Sequence, residues 1–114
     1  MSNMLATARR DFLGRAVEFC QSLNRKTIDL VDDFYAADAT FIDPAGKLEG
    51  RDRIRQYLTK TYRDIDSVSF TFDLTLQSQT TVVLSWTMRF SHRRLRHGDE
   101  IECHGTSIFQ FDPD

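Results

Sequence analysis

Cysteine, proline and glycine are scarce in this chain, and long apolar runs are missing. Its two cysteines, Cys20 and Cys103, match no metal-ligand spacing, so neither a metal site nor a disulfide framework is expected. The two prolines and five glycines fall between periodic segments, and there is no internal repeat or low-complexity stretch. The longest apolar runs are only a few residues and the chain opens on MSNMLATARRDF, so neither a transmembrane span nor a secretory signal is expected. A cytoplasmic location follows by default. A dominant charge of one sign is also absent: 15 Lys and Arg against 17 Asp and Glu leave a net charge of −2. No global field then favours nucleic acid or an anionic membrane.

What is present is an ordinary globular composition, 40% apolar and 28% charged, in 114 residues. That length suits one domain, 1–114, able to bury a core without metal or disulfide support. Phe12, Ala16, Phe19 and Leu23 recur at helical spacing, with Leu5, Ala8 and Cys20 beside them and Asn24 as the stop. A second, short helix is expected in IDLVDDFYA, capped by Thr27, with Val31, Phe34 and Tyr35 turned inward and Asp29, Asp32 and Asp33 in solvent. ATFID reads as a strand and PAGKLEG as a loop. RDRIRQYLTKTYRDI brings Ile54, Tyr57, Leu58 and Tyr62 to one side of a third helix.

The period then changes from 3.6 to 2. Val68, Phe70, Phe72, Leu74 and Leu76 alternate with polar residues, as do Val82, Leu84, Trp86, Met88 and Phe90. In IECHGTSIFQF, Cys103, Gly105, Ser107 and Phe109 share a face, and Gly105 marks a possible bulge or bend. Helices followed by a strand meander predict an α+β fold, with a curved antiparallel sheet enclosing an apolar interior. The outward positions Ser85, Thr87, Thr106 and Ile108 suit a sheet face buried against a second copy, so a homodimer is expected.

Asp43 is the leading chemical candidate. In TFIDP it follows two apolar residues, Phe41 and Ile42, which would raise its pKa and make it a general base. The same residue also reads as a turn acid bonding its own backbone before a proline. Ser107 shares the inward face with Phe109 and could hydrogen-bond a ligand, whereas His104 falls on the other face. Strand neighbours point to opposite faces, so Cys103 and His104 make no local dyad. The basic run HRRLRH offers phosphate or nucleic-acid contacts, but it lies in a hairpin connection with acids at Asp99 and Glu100. A solvated loop is expected there, its cations answered by GDE.

FYAADATFIDPAGKLEGRDRIRQYL (34–58), followed by alternating strands and GTSIFQFD, resembles the nuclear transport factor 2-like superfamily. Within it the pattern looks most like the SnoaL-like and ketosteroid isomerase-like group. The resemblance implies a cone-shaped curved antiparallel sheet wrapped around N-terminal helices, a cystatin-like α+β barrel. It also implies a pocket for a small hydrophobic molecule and dimerisation through the sheet. In the isomerase pattern an Asp base works beside a Tyr and a protonated Asp. Carried over, the base falls on Asp43, the tyrosine position on Phe19 and the protonated acid on Ser107. Phe19, Tyr57, Trp86, Met88 and Ser107 would then bind substrate, with no metal or other cofactor. The resemblance also implies a final strand beyond FDPD, which is expected to be missing from the chain.

Overall fold

The computed structural model describes residues 11–112. The expected helical positions Leu5 and Ala8 lie outside them. The described residues divide into two compact units, 11–21 with Ser69–Arg89 and 102–112, and Ser22–Val68 with Phe90–Ile101.

In the first unit, Asp11 starts helix α1 (Phe12–Ser22): its Oδ1 accepts the Gly14 N–H at 2.9 Å, satisfying a donor that the helix itself leaves free. The spacing of Phe12, Ala16 and Phe19 is realised as one buried face. Phe12 stacks on Phe111 with ring centroids 4.5 Å apart, and the Arg15 guanidinium lies over the Phe111 ring, 5.5 Å from its centroid. Three strands, β3 (Ile65–Ser78), β4 (Thr81–His92) and β5 (Glu100–Gln110), pair in the order β3-β4-β5, and residues 69–78, 81–89 and 102–110 of them belong to this unit. Val82 and Leu84 of the central strand are fully buried. The connection after β3 is a tight turn in which Gln79 adopts φ 55°, as a short hairpin requires.

Leu74 and Leu76 depart from the expected buried face, being 49% and 53% exposed. They lie on an edge strand that, among the described residues, has a neighbour on one side only. Gly105 also differs from expectation. It makes no left-handed bend; instead a Cβ added there would overlap the Trp86 ring. The glycine is a flat seat for the indole, which donates Nε1–H to Ser107 Oγ at 2.9 Å and meets Phe70 edge-on at 5.4 Å.

The second unit is built around helix α3 (Arg51–Tyr62), whose Ile54, Leu58 and Tyr62 are buried at four-residue spacing. Leu23, Ile28, Val31 and Ile65 complete that unit's buried apolar set. The short helix α2 (Leu30–Phe34) begins later than its apolar pattern suggests, because residues 27–29 are spent in i→i+3 turns. Thr27 does not cap it. Its Oγ1 donates back to the Ser22 carbonyl at 2.7 Å and accepts the Asn24 N–H at 2.8 Å. Asp29 and Asp32 are not merely solvated either: Arg55 bridges both, at 2.5 and 2.6 Å. Arg51 donates to the carbonyls of Asp32 and Tyr35, at 3.1 and 3.2 Å, where the helix end leaves acceptors free.

PAGKLEG is a strand and turn rather than a loop. β1 (Thr40–Asp43) and β2 (Gly46–Glu49) form an antiparallel hairpin with Asp43 opposite Gly46, closed by Pro44 and Ala45. The basic run is answered by different acids than expected. Arg93 pairs with Asp66 at 3.0 Å and with Asp64 at 3.9 Å, and Arg94 reaches Asp64 at 3.7 Å. Among the described residues no helix is long and apolar enough to cross a membrane.

Because the Trp86 ring rests on Gly105, Gly105→Ala is expected to destabilise the fold by about 1–3 kcal/mol through overpacking. The measurement is the urea midpoint at constant m-value. An unchanged midpoint would mean that the indole moves aside freely.

Candidate functional site

The β1–β2 hairpin and α3 bring Asp43 and Tyr57 together. Strand alternation places Phe41 and Asp43 on one face, and Tyr57 lies one turn beyond Ile54 on α3. The Phe41 and Tyr57 rings pack at 5.6 Å, and Tyr35 meets Phe41 edge-on at 6.4 Å. This aromatic contact aims the phenol, whose O–H donates to Asp43 Oδ2 at 2.7 Å. The other carboxylate oxygen is engaged as well. Oδ1 accepts the N–H groups of Ala45 and Gly46, at 2.9 and 3.2 Å, forming a turn closed by the side chain. The turn reading of TFIDP is therefore realised on Oδ1, while Oδ2 is held by Tyr57.

The electrostatics correct the sequence reading. Asp43 is half-buried and its pKa lies below the ordinary value, chiefly because Tyr57 donates to the charged form, with Ala45 and Gly46 adding to it against an opposing desolvation. The expected increase required shielding by Phe41 and Ile42, but Ile42 points away and is 72% exposed. Tyr57 shifts the opposite way: its phenol pKa is raised, first by its hydrogen bond to Asp43. The pair thus favours an ionised carboxylate and a protonated phenol, with Asp43 as the hydrogen-bond acceptor and Tyr57 as its donor.

The remaining predicted site residues belong to the first unit. Phe19 is buried, while Trp86, Met88 and Ser107 are half-buried. Of these, Trp86 and Ser107 are joined by the indole hydrogen bond, which uses the serine oxygen as acceptor and leaves its proton available. Cys20 is a free thiol whose pKa burial pushes up to about 11, so it is a poor nucleophile at neutral pH. A concave surface of about 420 Å3 in the second unit is lined by Arg25, Lys26, Thr59 and Arg63, not by Asp43.

Sequence reasoning missed one cross-strand constellation on the polar sheet face. Thr87 Oγ1 lies 2.9 Å from His104 Nδ1 and 3.4 Å from Asp73 Oδ2. His104 Nε2 lies 3.6 Å from Glu102, and Glu102 pairs with Arg89 at 2.9 Å. The signal was available in antiparallel register, since 81 with 110, 85 with 106 and 89 with 102 also pair. Thr87 is 5% exposed, so its hydroxyl holds the sheet together and is not open to a substrate.

The SnoaL-like domain model matches residues 16–114. A search of the curated proteins finds no match. Among solved structures, the chain is similar to a protein described as a SnoaL-like polyketide cyclase from Shewanella denitrificans. The TM-score is 0.72 at 17% identity, over 96% of this chain and 81% of that one. It is also similar to an LEH-like epoxide hydrolase from M. tuberculosis, with TM-score 0.69 and 18% identity over 86% and 71% of the two chains. A third is a hypothetical protein with a ketosteroid isomerase-like fold from Catenulispora acidiphila in complex with trimethylamine, with TM-score 0.67 and 16% identity over 84% and 72%. At these identities the likeness establishes the fold, α+β of the ketosteroid isomerase-like type.

The paired shifts are directly measurable. NMR titration is expected to place the Asp43 carboxyl below the ordinary Asp value of about 3.9, and Tyr57→Phe should return it toward that value. Since the folded pKa is the lower one, the stability this group contributes is present above about pH 3.9 and is lost as pH falls through the folded value. An Asp43 pKa indifferent to Tyr57→Phe would refute the pairing.

Proposed function

Since the chain belongs to the SnoaL-like domain family, we propose that it accepts a small hydrophobic molecule and that Asp43 is the acid–base group acting on it. The observation that carries this reading is the Tyr57 O–H fixed on Asp43 Oδ2 at 2.7 Å. It keeps one carboxylate oxygen ionised and oriented while the turn anchors the other. Such a base can take a proton from a carbon next to a carbonyl or from water. Isomerisation, cyclisation and water addition are the reactions open to it. The names of the similar cyclase and epoxide hydrolase support the last two.

In the free protein the low pKa makes Asp43 a weak base. A bound apolar molecule would exclude water from the carboxylate and raise that pKa, bringing it nearer the range where proton transfer is efficient. Phe41 and Tyr57, in the same unit as Asp43, supply apolar surface beside the carboxylate. The reading calls for no cofactor, nucleic acid or membrane, and it is compatible with the cytoplasmic location expected from the sequence.

A second reading is a non-catalytic ligand-binding or dimerisation module. The side-chain turn at Asp43 favours it, because that bond pattern alone accounts for an acid before Pro44. The outward face with Ser85, Thr106 and the 67% exposed Ile108 offers a surface for a second copy.

The two are separated by assaying an epoxide and a β,γ-unsaturated ketone with the native chain and Asp43→Asn. A catalytic Asp43 predicts turnover that falls by about 10²–10⁴-fold in the variant, while thermal-shift binding of the same compounds persists. Equal rates remove the base role and leave the binding module. For the dimer, sedimentation is expected to give a mass of two chains, shifted to one by Ile108→Glu. A monomer at high concentration in the native chain rejects the interface.

A further inference from the structure

The concave surface of the second unit is made by two segments. Arg25 and Lys26 come from the turn after α1, and Thr59 and Arg63 from the last part of α3 and its C-cap. Thr59 and Arg63 are four residues apart and share a helix face. The turn is held in place by side chains: Asn24 Oδ1 accepts the Lys26 N–H at 2.8 Å, and Thr27 Oγ1 ties it to Ser22. The cations are thus set on a fixed backbone before any ligand arrives.

The charge arrangement around this surface is one-sided. Elsewhere in the unit Arg51, Arg55, Arg93, Arg94 and Lys47 each face a carboxylate, whereas Arg53, Lys60 and Arg96 have none within ion-pair distance among the described residues. Among the described residues no carboxylate lies within ion-pair distance of Arg25, Lys26 or Arg63, and no acid lines the cleft. The lining groups are two guanidinium forks, an ammonium and a hydroxyl, all of them able to donate to an oxyanion. In a chain whose net charge is −2, this concentration of unanswered positive charge is not inherited from overall composition.

We propose that the cleft is an oxyanion site for a phosphate monoester of a small molecule. Three cations with no internal acid match a dianion better than a monocarboxylate. Arginine forks present paired donors to phosphate oxygens. The surface is open and its four lining residues are exposed, so the organic body of such an ester can extend from the phosphate into solvent. None of the four residues is part of the Asp43–Tyr57 pair, so this site stands or falls independently of the proposed acid–base chemistry.

The test is a 15N NMR titration of the full chain with inorganic phosphate, phenyl phosphate and acetate at constant ionic strength. Saturable shifts at the amides of Arg25, Lys26, Thr59 and Arg63 are expected with both phosphates and not with acetate. Phenyl phosphate should bind more tightly than phosphate. Arg63→Glu should weaken binding at least about tenfold. Arg53→Glu, the same charge change elsewhere on α3, should leave it unchanged. Arg25→Glu, in an exposed turn, provides the same reading if Arg63→Glu fails to fold. Non-saturating shifts shared with Arg53 and Arg96, equal weakening by Arg53→Glu, or an equal response to acetate each overturn the assignment.

Discussion

A carboxylate has two oxygens, and in this protein each of them is committed. Asp43 Oδ1 closes the turn that brings β2 back along β1, and Oδ2 receives the Tyr57 phenol from α3. One side chain therefore fixes the hairpin to itself and the hairpin to the helix. The aromatic contacts from Tyr35 through Phe41 to Tyr57 depend on that placement, because Phe41 shares the strand face with Asp43. A hydrogen bond to an ionised acceptor is worth roughly twice a neutral one. That suits an acid used as a brace for the turn and for the helix at once.

The long periodic elements were legible in the sequence because their signal is repeated. Ile54, Leu58 and Tyr62 state one helix face three times, and residues 100–110 alternate in exposure along all of β5. GKLE was not legible as a strand. It has four residues and one apolar side chain, Leu48, and its extended form comes from pairing with β1 rather than from its own propensity. The role of Gly105 was hidden for a related reason: only the identity of its cross-strand neighbour, Trp86, shows that the missing side chain makes room for a ring.

The candidate site was legible as a position and not as an environment. TFIDP located Asp43, and helical spacing located Tyr57, but the hydrogen bond between them spans 14 residues and depends on how a hairpin leans on a helix. The direction of the Asp43 pKa shift followed that contact rather than the apolar neighbours in sequence. Ile42 illustrates the failure: adjacency along a strand puts a residue on the opposite face. Charge pairing was equally non-local. Arg93 and Arg94 turn to Asp64 and Asp66, far back in the chain, and not to the nearby Asp99 and Glu100.

The seat that Gly105 makes for Trp86 has an optical consequence. This is the chain's one tryptophan. Its indole N–H is tied to Ser107, and its ring is met edge-on by Phe70 within the same unit. Emission excited at the indole band therefore reports on a single, half-buried ring in a defined polar contact. Loss of the Ser107 bond or of the flat glycine beneath it changes the colour of the protein's own fluorescence. The first unit carries a built-in probe of its packing, and the second, which holds Asp43 and Tyr57, contains no tryptophan.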